Sequence, residues 1–329
     1  MNTLFHRRDM LRWAAAGAAV AAAGTTQAQG TWPTRPVTMI VPFPAGGGTD
    51  AFARPLSAQF SKATGQTLVI DNRGGAGGTL GASIAAKAPA DGYTLFMGAV
   101  HHAIAPSIYP KLDYDIEKDF VPLMLLANAP QVVVVNPRRV SQTTLQEFVA
   151  YAKKNPAKMN YGSAGAGTSH HLAGELFKQQ TGTFITHIPY RGAGPMLQDL
   201  IAGNVDVCFD GLGSSAQHIK GGRIKALMVS GAKRNPAFPD VPCAAEVGLP
   251  GYTVTTWYGL WAPKGTPAEV QARIVDDMKK SMATDELKTI WAANGSEIPS
   301  LTMGAYGSFV SAEIKRWATV VKTSGAKLE

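Results

Sequence analysis

The chain has 329 residues and a formal charge of +8, with hydrophobic residues making up 45% of it. That length is more than one hydrophobic core organises comfortably, so two domains are expected. Lys and Arg are scattered, never more than two in a row. That sets nucleic-acid binding aside in favour of a mildly basic surface on an exported protein.

The N-terminus predicts the compartment. Arg7, Arg8 and Arg12 precede residues 13–24, which are almost entirely Ala, Gly and Val, and Thr26-Gln27-Ala28 places small residues where a signal peptidase reads. Residues 1–28 therefore read as a cleavable export signal whose apolar part is too short to cross a bilayer, and the mature chain is expected in the periplasm. The run His6-Arg7-Arg8-Asp9-Met10-Leu11-Arg12 resembles a twin-arginine signal. No Cys lies near the cleavage point, so no lipid anchor is expected. Loss of the signal takes the charge from +8 to +6, since Arg7, Arg8, Arg12 and Asp9 leave with it. Cys208 and Cys243 either pair in an oxidising compartment or stand as buried thiols; the apolar strand around Cys208 favours the latter.

Strand and helix patterns alternate, predicting α/β layers with largely parallel sheets. Strands are expected at 37–41, 67–71 and 94–98, with helices at 51–64 and 79–88. A long apolar strand over 121–135, interrupted by Pro122 and Pro130, reads as crossing a hinge. A second unit follows, with helices at 144–154, 170–181 and 195–202 and strands at 159–162, 185–190, 205–210 and 226–230. A return strand at 256–262 and helices at 267–283, 285–293 and 303–324 complete the chain. The chain thus crosses between units near 130 and again near 253. One lobe would comprise residues 29–130 and 254–329, the other 131–253, an arrangement that lets two lobes close over a ligand.

A device used twice carries the functional reading: an apolar strand, a glycine-rich turn and a helix start. The first copy is Val37 to Asp50, containing Phe43, Ala45, Gly46, Gly47, Gly48 and Thr49; the second is Met159 to His171, containing Gly162, Ser163, Gly167, Thr168 and Ser169. Each is expected to present unpaired amides at the positive end of a helix, where glycines admit a ligand close to the main chain. Pro42 and Pro44 stiffen the first loop, Thr49 is a candidate helix cap, and Asp50 is expected to cap the helix or bond the loop. Arg191, beside Tyr190 in a glycine-rich loop, either pairs with a carboxylate through two N–H groups or braces against Asp210. His101 and His102, if extended, point to opposite sides so that one alone faces the cleft, and His102 is taken as the candidate donor. Phe43, Tyr190, Phe209 and Trp257 either pack on a ligand or belong to the core.

Other chemistries have weaker support. His171 and Glu175 are four apart, a spacing that metals use but that ordinary helix faces also show, so no metal is expected. A hydrolase triad of Ser163 or Ser169 with His171 and Asp210 lacks a G-x-S-x-G elbow. No nucleotide-binding glycine string is present, although phosphate would also fit such loops. No catalytic residue and no cofactor are therefore expected.

Several motifs in order resemble the periplasmic receptors of tripartite tricarboxylate transporters, called Bug or TctC-like proteins. They include Val41-Pro42-Phe43-Pro44-Ala45-Gly46-Gly47-Gly48-Thr49-Asp50, Asp71-Asn72-Arg73-Gly74-Gly75-Ala76-Gly77-Gly78, Ala88-Pro89-Ala90-Asp91-Gly92-Tyr93 and Tyr161-Gly162-Ser163-Ala164-Gly165. Pro189-Tyr190-Arg191-Gly192, Gly203-Asn204-Val205-Asp206 and Trp257-Tyr258-Gly259 continue the series, so the likeness runs from Trp32 to the C-terminus. The resemblance implies a two-lobed Venus-flytrap receptor of the type II kind. Such a receptor binds a small organic carboxylate through loop backbone and ordered waters, passes it to membrane permease subunits, and works as a monomer. The sequence departs from the commonest pattern at His101-His102-Ala103-Ile104-Ala105-Pro106, where relatives often carry Ser or Thr before a single His.

Overall fold

The computed structural model describes residues 32–324 and 326. The expected export signal at 1–28 lies outside them. Among the described residues, those from Arg35 onward form one compact unit, and Trp32–Thr34 belong to another.

Nine strands are arranged in order around one long strand. The first set comprises β1 (Val37–Val41), β2 (Leu68–Asn72), β3 (Thr94–Ala99) and β9 (Thr255–Pro263), and it meets the front of β4 (Phe120–Val135) in the order β2-β1-β3-β9-β4. β1 runs parallel to β2 and β3, while β9 runs antiparallel to β3 and β4. The second set is β5 (Asn160–Ser163), β6 (Thr186–Pro189), β7 (Val207–Gly211) and β8 (Lys225–Val229). Here the back of β4 pairs antiparallel with β7 and β8, and β7-β5-β6 run parallel. β4 changes partners between Pro130, opposite Thr255, and Gln131, opposite Gly211. Proline lacks the N–H that a continuous ladder needs, so Pro130 suits a point where pairing is handed over.

Helices follow most strands. α1 (Gly48–Thr64), α2 (Thr79–Ala86) and α3 (His101–Ile108) belong with the first set; α4 (Leu145–Lys154), α5 (Ser169–Thr181), α6 (Ala193–Ala202) and α7 (Leu212–Lys220) with the second. α8 (Ala268–Met282), α9 (Asp285–Ala293) and α10 (Met303–Ser324) close the chain. Local signals account for several boundaries. Thr144 and Glu147 form a reciprocal capping box at α4, satisfying two of the amides that a helix start leaves unpaired. α1 ends at Gly65, whose φ of 72° most side chains disfavour.

Three expectations change. α1 starts at Gly48, before the expected Ala51, because Gly47 provides the extended N-cap. His101 and His102 are not extended but open α3, and α7 was not expected at all. The cysteines are both free and buried, as the strand context of Cys208 suggested.

The main core runs through both strand sets, from Ile40 and Phe96 to Phe148, Phe177 and Phe209. Trp257 and Phe209, which the sequence left between ligand and core, are buried members of it. α10 locks onto this core through Glu313, whose carboxylate accepts from the indole N–H of Trp257 at 2.8 Å and of Trp317 at 3.1 Å.

Candidate functional site

The loop before α1 is organised by a carboxylate. Asp50 accepts from the Gly46 amide at 2.9 Å and from Arg54 Nε at 2.8 Å on one oxygen, and from Asn72 Nδ2 at 3.2 Å on the other. Asn72 also donates to the Phe43 carbonyl at 2.9 Å. Asp50 thus bonds the loop, one of its two expected roles. Thr49 is not the cap: Gly47 occupies that position and no side chain caps the helix, while Thr49 is buried in the first turn. The first-turn amides of α1 therefore keep their positive end open, since they have no partner four residues back.

The loop before α5 is more self-contained. Thr168 is its N-cap, accepting from the His171 amide at 3.4 Å and donating to the Gly165 carbonyl at 2.7 Å. Gly167 N–H donates to His171 Nδ1 at 3.2 Å, and Gly165 N–H to Ser163 Oγ at 3.1 Å. Ser163 Oγ also lies 2.7 Å from His187 Nε2. The Ser169 amide donates to His101 Nδ1 at 3.0 Å, so a side chain from α3 occupies an amide expected to meet a ligand.

Loops of the two strand sets touch. A Cβ on Gly192 would lie 2.9 Å from Pro44 Cδ, and one on Gly194 2.8 Å from the Ala45 carbonyl oxygen. Tyr109 donates its hydroxyl to the Ala166 carbonyl at 3.1 Å. Beside these contacts lies a cavity of about 240 Å³, walled by the backbone of 75–78 and 164–166 and by Phe43, Tyr109, Tyr190 and Arg191. Tyr190 spends its hydroxyl on Asp199 at 2.8 Å, leaving its ring as lining. Arg191 is exposed at the rim.

Phe43, Tyr190 and Arg191 are thus brought together, with Ala45, Gly46 and Gly47 in the adjoining loop contact. Gly48 faces a different neighbour, for a Cβ there would fall on the Tyr258 hydroxyl. Gly162 is set in packing, its Cβ position 2.9 Å from Cys208 Sγ and from Met196 Cγ. His102 turns into the core against Phe96, with Nδ1 at 3.0 Å from the Ala99 amide and Nε2 3.3 Å from the Gly78 carbonyl oxygen. Burial pushes its pKa down to about 4.

Asp210 is fully buried. One oxygen accepts from Ser214 Oγ at 2.7 Å and Ser215 Oγ at 2.6 Å; the other lies 3.5 Å from His170 Nδ1 without a hydrogen bond. Burial lifts its pKa to about 6 against the hydroxyls, and lowers that of His170 to about 3. The alternative in which Arg191 braces Asp210 is therefore not realised. Nor does the imagined triad assemble, for Ser163 meets His187, and Asp210 has His170 beside it. Among the described residues no group of three potential metal ligands gathers. The glycine run at 75–78 was visible in the sequence, but nothing local marks Tyr109, whose partner lies 57 positions away.

Strand order, a strand shared by two sets and a cavity between their loops define a periplasmic-binding-protein fold. The solved periplasmic binding protein BugD has 33% identity and a TM-score of 0.87, covering 91% of this chain and all of its own. The chain belongs to the tripartite tricarboxylate transporter family of receptors, whose model matches residues 52–326. Rpa4515 of R. palustris, solved with adipate, is 38% identical with a TM-score of 0.87, over 91% of this chain and all of its own. MatC of Rhodopseudomonas palustris, solved with bound malate, is 35% identical with a TM-score of 0.83, over 88% and 100% respectively.

Proposed function

We propose that this protein is an exported, monomeric receptor that holds a small organic carboxylate between two lobes and delivers it to membrane permease subunits. The lobes are 29–130 with 254–329, and 131–253, turning about the partner change in β4. The observation that carries this reading is the cavity. Arg191 is the one charged side chain among its described lining residues, and the Pro44–Gly47 loop that leads into the uncapped α1 packs against the neighbouring Gly192–Gly194 loop. Such a setting attracts anions and holds a carboxylate by charge-assisted bonds. The adipate and malate of the two relatives are ligands of that chemistry. The N-terminal signal accounts for export, with the paired arginines favouring the twin-arginine route, and no catalytic step is assigned.

A thermal-shift panel of carboxylic acids, phosphate and divalent metals on refolded protein tests this, because a ligand of the native state alone raises Tm with concentration. The expected result is a response to a dicarboxylate that Arg191→Met weakens roughly 10- to 100-fold. A response to phosphate or metal with none to any carboxylate would replace the reading.

A further inference from the structure

We infer that His101 is a positioning residue that latches the two strand sets together, and that it keeps this contact when ligand is bound. The inference rests on the clamp reading above. His101 opens α3, which follows β3 of the first set; the amide it accepts from, Ser169, opens α5, which follows β5 of the second. Both residues are buried, at 5% and 0% exposure. A buried donor left without an acceptor is costly, whereas in an opened molecule water would replace the imidazole. On the clamp reading, loss of the imidazole therefore leaves the Ser169 amide unpaired in the closed arrangement alone and shifts the balance towards the open one.

The surroundings hold the ring in place. Phe43 packs edge-on at 5.1 Å between centroids and His170 at 5.6 Å. At the other end of α3, the Tyr109–Ala166 bond makes a second tie to the same loop. Because Nδ1 accepts, a neutral ring carries its proton on Nε2. The titratable groups facing it are His170 on α5 and His102 on its own helix; burial first, and then these two, hold its pKa well below the usual value.

The test compares wild type with His101→Ala and His101→Asn, since the Asn carbonyl oxygen takes the place of Nδ1. Pulsed-EPR distances between labels on Lys62 and Lys153 report the closed population, and calorimetry reports affinity for whichever acid the thermal-shift panel selects. His101→Ala is expected to lower the closed-to-open ratio of the free protein roughly tenfold and to weaken the acid by a similar factor, with His101→Asn restoring most of both. Tighter binding in His101→Ala would show that ligand displaces the imidazole, and would overturn the inference. So would unchanged distances in both variants while the acid still shortens them in wild type, which leaves the clamp standing. Distances that no variant and no acid alters would remove latch and clamp together.

Discussion

Gly194→Val is expected to abolish tight ligand binding while leaving the fold intact. Gly194 lies in the first turn of α6 with no left-handed φ, so a side chain is tolerated there by the backbone, and Val is no worse than Gly in a helix. The obstacle is across the gap: a Cβ would stand 2.8 Å from the Ala45 carbonyl oxygen and 3.6 Å from the Gly47 amide. These atoms belong to the loop before α1, in the other strand set, and on the proposed clamp reading they separate as the lobes part. The variant is therefore selective against closure, and affinity is expected to fall at least about 100-fold, since the ligand-competent state becomes rare. Gly47→Ala is the control, its added Cβ meeting nothing nearer than 3.5 Å. Calorimetry with the acid found by thermal shift, with circular dichroism as a fold check, decides the matter. Wild-type affinity in Gly194→Val would mean that this loop contact is no part of ligand capture.

Asp210→Asn is expected to raise stability at neutral pH and to flatten its dependence on acid. The native carboxyl titrates near 6 against an ordinary 3.8, because burial disfavours its charge more than Ser215, Ser214 and the Gly211 amide favour it. The folded state therefore binds the proton more tightly than the unfolded one between those values. Asp210 costs nothing below the lower value, costs progressively more as pH rises through the window, and reaches a constant penalty above about 6. Two pH units correspond to roughly 3 kcal/mol. Asn carries no charge, can keep its oxygen toward the serine hydroxyls, and turns its amide toward His170 Nδ1, which has no hydrogen bond. Urea unfolding at pH 4 and pH 7 checks this. The expected difference between variant and wild type grows by roughly 2 to 3 kcal/mol between the two pH values, and parallel curves would refute it.

Elements with strong periodicity were plain in the sequence. β1, α9 and α10 sit where apolar spacing put them, and α4 lies within the helix expected over 144–154. α3 and α7 escaped because their residues argue against helix: α3 is short and holds Pro106, and the first turn of α7 holds Gly213, Ser214 and Ser215, which suit turns. That error carried into the site. Treated as extended, the two histidines offered a choice of faces, and the helix instead sends His102 to Phe96 and His101 to α5. The glycine loops were legible because their conformational demands are local. Which polar groups of the loops are already taken was not, since His101 accepts from the Ser169 amide, Tyr109 donates to the Ala166 carbonyl and Gln131 to the Ser169 hydroxyl across 68, 57 and 38 positions.

β4 has a mechanical meaning beyond topology. One strand of sixteen residues serves both sheets, Phe120–Pro130 pairing in the first and Gln131–Val135 in the second, and one core runs along it from Ile40 to Phe148. Two bodies tethered by a loose linker would melt separately; the two strand sets here share one ribbon and one core, so that loss of either exposes apolar surface of the other. A single calorimetric transition, with van't Hoff and calorimetric enthalpies in agreement, is the expected signature. The same ribbon confines relative movement to twisting and bending of one backbone, making the receptor behave as a leaf spring with a preferred direction.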